Sequence, residues 1–111
     1  MADRDAQAIA RARDVLLDSL SRNIPIETLA REVGVSPFRL MRCFKAEMGQ
    51  TIHQFVIEHR VAFVRDRISR SDDPLAQIAF DAGFANQSHM TSAYTAMMGI
   101  SPGKHRRELR G

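Results

Sequence analysis

The apolar and polar positions of this 111-residue chain follow a helical pattern. In the stretch FANQSHMTSAYTAMMG, Met90, Tyr94 and Met97 recur at the three- and four-residue spacing that places side chains on one helical face. Asn86 is an N-cap residue type before this stretch, and Gly99 would end it. Hairpin turn signals are missing. We therefore predict an all-α chain of about seven helices, near residues 5–21, 26–33, 37–48, 52–70, 74–82, 87–98 and 102–110.

Capping residues and glycines mark the predicted helix ends. Three dipeptides place an N-cap side chain before a proline that suits the first helical turn: Ser36-Pro37, Asp73-Pro74 and Ser101-Pro102. Thr51 and Gln54 have the spacing of a capping box. Four glycines lie where helices should end: Gly34, Gly49, Gly83 and Gly99.

The longest predicted helix, 52–70, carries two apolar stripes. At about 100° per residue, one stripe holds Ile52, Phe55, Val56, His59 and Phe63, and the other holds Ile57, Val61, Val64 and Ile68. A helix that covers a single core needs only one stripe. We therefore expect one continuous helix that serves two small bundles, formed by about residues 5–51 and about residues 72–110.

An internal repeat supports this division. LAREVGV (29–35) matches IAFDAGF (78–84) at an offset of 49, and SPFRLMRCFKAEMGQT (36–51) matches NQSHMTSAYTAMMGIS (86–101) at an offset of 50. Each copy predicts a short helix, a glycine-containing turn and a longer helix. This is the helix-turn-helix pattern, in which the second helix can enter a major groove. The alternative is a pair of helical hairpins that only pack against each other.

The charge distribution agrees with a polyanionic partner. The formal net charge is +3, and residues 39–111 hold eleven basic and seven acidic side chains, against five and six in residues 1–38. The single cysteine, Cys43, excludes an intrachain disulfide, and we expect a buried packing residue with no basic side chain on its face. No signal peptide and no apolar run of membrane-spanning length is seen, so we expect a cytoplasmic protein.

Enzymatic chemistry has no support in the sequence. The four histidines show no pair at i and i+4 and no carboxylate at metal-ligand spacing: His53, His59, His89 and His105. No nucleophile motif and no phosphate-binding glycine loop occurs. We therefore expect no catalytic residue, no bound metal and no cofactor.

The segments LAREVGVSPFRLMRCFKAEMGQTIHQFVIEHR and IAFDAGFANQSHMTSAYTAMMGISPGKHR resemble the DNA-binding domain of the AraC/XylS family of bacterial transcription regulators. The resemblance runs from about Ile24 to Arg106. It implies two helix-turn-helix subdomains joined by a long central helix, here 52–70. It also implies that the second helices, here 37–48 and 87–98, enter successive major-groove segments on one face of double-stranded DNA. The expected location is the bacterial nucleoid, with RNA polymerase as a further partner if the chain activates transcription.

The chain departs from the family pattern at a few positions. A small residue is usual at Val64, an aromatic at His105 and a phenylalanine at Met90, and these are packing substitutions. The family often has basic residues at the positions of Ser92 and Thr95. Most members also carry a sensor domain. The chain therefore resembles the short single-domain members, or the excised DNA-binding domain of a larger effector-responsive regulator.

Side chains that point outward from the two second helices are the candidates for DNA contact. We predict base contacts by Phe38, Arg39, Met41, Arg42, Gln87, Ser88, Thr91 and Ser92. We predict phosphate contacts by Lys45, Ser36, Asn86, His89, Thr95, Lys104 and Arg106. Packing is an equal alternative for Phe38, and a solvated surface charge is the alternative for Arg39 and Lys45.

The two predicted DNA-reading helices differ in charge. The outward face of 37–48 holds three cations, whereas 87–98 offers hydroxyls and one imidazole. Because cations supply most of the salt-sensitive affinity for DNA, we expect 37–48 to anchor the chain and 87–98 to contribute weakly. Since the repeat supplies both readers, we expect one chain per DNA site. The rival hypothesis is a helical protein-interaction module that has lost DNA binding, which the uncharged face of 87–98 favours and the cations of 37–48 oppose.

Overall fold

The structure is a computed structural model that describes residues 3–111. This part of the chain contains no strand and forms seven helices: α1 (Asp3–Asp18), α2 (Ile26–Val33), α3 (Pro37–Met48), α4 (Ile52–Arg70), α5 (Leu75–Ala82), α6 (Gln87–Met98) and α7 (Pro102–Arg110). The all-α prediction is therefore confirmed. The chain forms two compact units, divided between Val56 and Ile57 inside α4.

The first unit packs α1, α2, α3 and the first turn of α4 around one apolar core. Its buried side chains are Ala8, Ile9, Ala12, Leu16, Leu29, Ala30, Val33, Leu40, Cys43, Phe44 and Phe55. Phe44 of α3 and Phe55 of α4 pack edge to face, with ring centroids 5.5 Å apart. This geometry is preferred by aromatic pairs, and it fixes the inner face of α3 against the start of α4.

The second unit packs the rest of α4 with α5, α6 and α7. Its buried side chains are Val61, Val64, Ile68, Ile78, Ala79, Ala82, Phe84, Met90 and Tyr94. Tyr94 and His105 occupy the positions of Phe44 and Phe55 at the repeat offset of 50. The Tyr94 hydroxyl lies 2.6 Å from His105 Nδ1, and the two ring centroids are 5.8 Å apart. The second unit thus replaces an apolar aromatic pair with a hydrogen-bonded one.

Helix α4 is continuous over 19 residues and supplies side chains to both cores, as predicted. Phe63 is the exception. Its angular position groups it with Phe55, yet it packs against the core of the second unit. The reason is its height along the helix, because eight residues at about 1.5 Å each place Phe63 roughly 12 Å beyond Phe55. Helix position, as well as helix face, decides which core a side chain joins.

Most of the predicted caps are present. The Ser36 hydroxyl accepts a hydrogen bond from the backbone N–H of Arg39 at 3.2 Å. Thr51 and Gln54 form a reciprocal capping box. The Thr51 N–H donates to Gln54 Oε1 at 2.8 Å, and the Gln54 N–H donates to Thr51 Oγ1 at 3.1 Å. Ser101 accepts from the N–H group three residues ahead at 3.3 Å. Each cap satisfies a donor that the first turn of a helix leaves without an internal partner.

The predicted cap at Asp73 is wrong. Pro74 is the N-cap of α5, which begins at Leu75 and has no side-chain cap. The Asp73 carboxylate instead accepts a hydrogen bond from Arg67 Nε at 2.9 Å. A carboxylate forms a charge-assisted bond with either donor, but the guanidinium adds the attraction of a full opposite charge, which favours the contact with Arg67.

Two side-chain predictions also need correction. Met97 is 46% exposed, and Met98 packs against the core in its place. Cys43 is buried, as predicted, but Arg39 shares the shallow depression that Cys43 lines. The spacing explains this contact, since residues four apart are neighbours on a helix surface.

Arg67 joins α4 to the loop and helix that follow it. Its Nη2 group donates to Asp81 of α5, while Nε donates to Asp73 in the loop. Gln77 also donates to Asp81, at 2.8 Å. The pKa of the Asp81 carboxyl therefore lies below its ordinary value, first because Arg67 and then because Gln77 donates to its charged form.

The paired rings of the second unit predict a non-additive pattern of stability. His105→Phe should lower the free energy of unfolding by about 1–3 kcal/mol, because it leaves the buried Tyr94 hydroxyl without its partner. Tyr94→Phe should cost about 1 kcal/mol. The double substitution restores the apolar pairing seen in the first unit, so it should cost less than His105→Phe alone. Urea unfolding of the wild-type chain, the two single variants and the double variant measures these free energies. Simple additivity of the two single effects would contradict the prediction.

The Asp81 contacts predict the response of stability to acid. A carboxyl with a lowered pKa in the folded state stabilises the fold above its unfolded-state pKa of about 4, and this stabilisation is lost as the pH falls below that value. Asp81→Asn should therefore reduce the loss of stability between about pH 5 and about pH 3. Urea midpoints across this range test it, with Asp18→Asn at the exposed end of α1 as the control for the loss of one negative charge.

Candidate DNA-binding surface

A glycine in the left-handed conformation shapes each helix-turn-helix. Gly34 follows α2 with a φ of 80°, and Gly83 follows α5 with a φ of 94°. A side chain at this φ would be strained, so glycine suits the turn. In the first unit, the N–H groups of Gly34 and Val35 both donate to the Ala30 carbonyl, at 2.9 and 3.1 Å. The chain reverses within residues 34–36, and α3 then begins.

Helix α3 has one buried and one exposed face, as its predicted outward side chains require. Leu40, Cys43 and Phe44 are buried. The opposite face exposes Phe38, Arg39, Met41, Arg42 and Lys45. The Phe38 ring is 69% exposed and Met41 is 49% exposed, so these apolar groups contribute little to the core. The exposed face therefore combines three cations with an aromatic ring and a thioether.

Phe38 and Arg42 are in contact on this face. The Arg42 Cζ atom lies 5.6 Å from the centroid of the Phe38 ring, one helical turn away. This is the distance of a cation–π contact, which steadies a long side chain without using its N–H donors. The ring and the guanidinium are thus presented side by side, and the N–H donors of Arg42 are not occupied by this contact.

Arg39 is held by a carboxylate from α1. Its Nε and Nη2 atoms donate to the two Asp5 oxygens at 2.9 and 2.7 Å. The Asp5 residue is 7% exposed, whereas the Arg39 side chain is 46% exposed. The pKa of the Asp5 carboxyl lies below its ordinary value, mainly because Arg39 donates to the charged form. Arg39 is therefore anchored at one edge and accessible at the other.

Helix α6 has the same two-faced construction without formal charge. Met90 and Tyr94 are its buried residues. Its outward residues are Gln87, Ser88, His89, Ser92 and Thr95, which are exposed, and Thr91, which is half-buried. No lysine, arginine, aspartate or glutamate occurs in α6. The predicted contrast in charge between the outward faces of α3 and α6 is present in the folded chain.

The start of α6 is fixed by Asn86 and Phe84. The Asn86 side chain accepts a hydrogen bond from the His89 N–H at 2.8 Å. The His89 ring also packs edge-on to Phe84, with centroids 5.3 Å apart. Gln87, Ser88 and His89 are the exposed polar side chains of this first turn.

The basic residues of α7 have different surroundings. Lys104 is exposed, whereas Arg106 is half-buried and donates from Nη2 to the Asp73 carbonyl at 2.8 Å. The Arg106 Nε atom is buried and has no hydrogen-bond partner among the described residues. Of the two, Lys104 has the head group that is more available to a phosphate.

Asp5 was not anticipated as a support of this surface, and Arg60 lies in the interior. Asp5 lies 34 residues before Arg39, outside the repeat and outside the family resemblance, so no local spacing indicates the pair. Arg60 is 5% exposed, with its Cζ atom 6.0 Å from the Phe84 ring centroid. Burial lowers the pKa of this guanidinium. Each is an interior charge whose placement depends on packing between elements.

The described residues hold no group of three or more histidine, cysteine or acidic side chains that could bind a metal ion. Within the same residues, no helix combines the length and the apolar character needed to cross a membrane.

Comparison with known proteins places these features in a family. The family model described as "Helix-turn-helix domain" matches residues 29–108. The multiple antibiotic resistance protein MarA of Escherichia coli is 26% identical over 102 residues, which cover 92% of this chain and 80% of MarA. The probable transcriptional regulator LumQ of Photobacterium leiognathi is 28% identical over 106 residues, but this chain spans only 43% of its length.

A solved structure shows the same fold. The DNA-binding domain of the global transcriptional factor AdpA, determined in complex with a target DNA, superposes with a TM-score of 0.88 at 24% identity, covering 94% of each chain. Together with the family match over residues 29–108, this agreement identifies the class of protein. The chain belongs to the AraC-type family of helix-turn-helix, DNA-binding transcription regulators.

Proposed function

We propose that this chain is a sequence-specific transcription regulator that binds double-stranded DNA as a monomer, with α3 and α6 in two adjacent major-groove segments. The exposed face of α3 is the observation that carries the proposal. It presents Arg42 beside Phe38 on a helix whose other face is buried, so the helix can enter a groove without loss of core packing. AdpA, which has this fold, is a DNA-binding domain solved with its target.

The chemistry of α3 suits base recognition. Arg42 can donate two hydrogen bonds to guanine O6 and N7, and Phe38 or Met41 can contact a thymine methyl group. Lys45 lies one turn further along the helix, where an exposed ammonium suits a phosphate. We therefore assign direct base contact to Phe38, Met41 and Arg42, and a phosphate contact to Lys45.

We assign α6 a weaker role. Gln87 can pair with adenine, and Ser88, Thr91 and Ser92 can bind base edges or phosphates through hydroxyl groups. None of these side chains neutralises a phosphate. The N-terminus of α6 and the basic residue Lys104 of α7 offer phosphate contacts in this unit.

Regulation under this proposal requires a second partner. A chain that activates transcription from its DNA site would contact RNA polymerase, and a chain that represses would occlude it. Binding to chromosomal DNA would place the chain at the nucleoid.

Two observations favour a protein-interaction module as the second candidate. The outward face of α6 lacks charge, and α5 exposes Phe80 at 74%. Selection of duplexes from a random library by the purified chain separates the two candidates. Recovery of one shared sequence supports the regulator, and failure to enrich any sequence at low salt supports the interaction module.

The unequal faces predict unequal effects of substitution. Arg42→Ala should weaken binding to the selected duplex by about 1–3 kcal/mol and relax the preference at one base pair. Ser92→Ala, at the repeat-equivalent position of α6, should cost about 1 kcal/mol or less. Ser92→Arg adds a groove-facing cation, so the slope of log K against log salt should steepen by about one unit. Fluorescence anisotropy titrations at several salt concentrations measure all three effects.

The reverse ranking would contradict this assignment. If Ser92→Ala abolished binding and Arg42→Ala had no effect, α6 would be the dominant reader. Ala62→Ser, at an exposed position of α4, is a matched surface control that should leave affinity and salt dependence unchanged.

The covalent repeat predicts the stoichiometry. One chain already contains two helix-turn-helix units, so it should occupy one asymmetric site whose two segments lie about 10 base pairs apart. Sedimentation of the chain on a selected duplex should give one chain per DNA molecule. Two chains on a palindromic duplex would show that the units bind as a symmetric dimer instead.

A further inference from the structure

The contact between α1 and α3 bears directly on how the proposed reading helix recognises DNA. Arg39 is the third residue of α3, and its backbone N–H is bound to the Ser36 cap. In helix-turn-helix proteins, the N-terminal residues of the second helix contact base edges. Arg39 therefore lies in the turn of α3 where a long cationic side chain has the best access to bases.

The geometry of the Asp5 contact leaves the outer edge of this guanidinium available. An arginine head group has five N–H donors in a fixed plane. Asp5 accepts from Nε at 2.9 Å and from Nη2 at 2.7 Å, which occupies the side edge of the fork. The second hydrogen of Nη2 and the adjacent hydrogen of Nη1 form the end edge, which has no bond to Asp5. This end edge is the one that can donate to guanine O6 and N7 together.

Because Asp5 is buried, its carboxylate fixes the direction in which the Arg39 guanidinium points. The residue is 7% exposed, and it lines a depression with Ala8, Ile9, Leu40 and Cys43, so the carboxylate is held in place by the core of the first unit. The Arg39 side chain, at 46% exposure, extends outward from this fixed point. A side chain that is already ordered loses less conformational freedom when it binds.

We infer that Asp5 is a positioning residue that orders Arg39 as a guanine-reading side chain of α3. The inference rests on the proposed DNA-binding function and extends it, because it assigns a role in base recognition to a residue of α1. Asp5 itself does not contact DNA. Its carboxylate sets the direction of the guanidinium and balances its charge, so Arg39 contributes to base preference more than to salt-dependent affinity.

The test asks whether Arg39 donates a hydrogen bond to the N7 atom of one guanine. Duplexes are first selected from a random library by the wild-type chain. Each guanine of the selected site is then replaced in turn by 7-deazaguanine, which lacks the N7 acceptor and keeps base pairing. The dissociation constant is measured for the wild-type chain, Arg39→Ala, Asp5→Asn and Asp14→Asn. Asp14 lies on the exposed side of α1, so it controls for the loss of one negative charge.

We expect one guanine whose replacement weakens wild-type binding about five- to tenfold. The same replacement should have no effect on Arg39→Ala, which identifies the contact. In Asp5→Asn the effect should fall to about twofold or less, because the guanidinium is no longer directed. Guanines that are read by Arg42 should keep their full effect, and Asp14→Asn should behave as wild type.

Folding is controlled separately. Circular dichroism establishes that each variant is folded at the assay temperature. If Asp5→Asn is unfolded there, Asp5→Glu keeps the charge and the pairing but moves the carboxylate by one methylene group. The inference then requires the 7-deazaguanine effect to fall in Asp5→Glu, since the direction of Arg39 changes while its partner remains.

Three results would overturn the inference. A folded Asp5 variant that keeps the full 7-deazaguanine effect would show that the pair only stabilises the unit. Tighter binding of Asp5→Asn to selected and scrambled duplexes alike would show that Asp5 sequesters Arg39. A full pattern of guanine effects in Arg39→Ala would show that Arg39 reads no guanine. All three leave the proposed function intact, whereas failure of the wild-type chain to select any duplex would refute both.

Discussion

The structure depends on the burial of one apolar face of each second helix. Leu40 and Phe44 of α3 are fully buried, as are Met90 and Tyr94 of α6. Because these faces are held in tightly packed cores, the outward faces are rigid surfaces whose side chains need no role in stability. Phe38 illustrates the consequence. A phenylalanine that is 69% exposed on an otherwise well-packed helix gains little from the fold, so its ring is available for the base contact proposed above.

The two units pack an aromatic pair at equivalent positions, but the side chains of the two pairs differ. The Phe44–Phe55 contact is apolar, whereas the equivalent Tyr94–His105 contact adds a hydrogen bond of 2.6 Å. Their surfaces differ more. Three cations lie on the exposed face of α3 and none on that of α6. The repeated fold has therefore kept most of its buried positions and varied the exposed groups, so the affinity and specificity for DNA can be unequal in the two halves under the proposed function.

Charged side chains connect the helices within each unit. Asp5 joins α1 to α3 through Arg39, and Asp81 joins α5 to α4 through Arg67. Only the first of these pairs includes a residue on the outward face of its second helix. Arg39 thus belongs both to the support of α3 and to its surface. Under the inference above, α1 is therefore part of the recognition apparatus although it lies outside the repeat.

Local patterns of residues were enough to predict the helices, most of their caps and the two faces of α3 and α6. These features follow from local rules, since apolar periodicity and capping act over three or four residues. Tertiary structure decided the rest. Phe63 joined the second core because of its height along α4, Asp73 turned from the helix end to Arg67, and Asp5 paired with Arg39 across 34 residues. Contacts between residues that are distant in the sequence depend on how whole helices pack against each other. The spacing of residues along the chain therefore does not predict them.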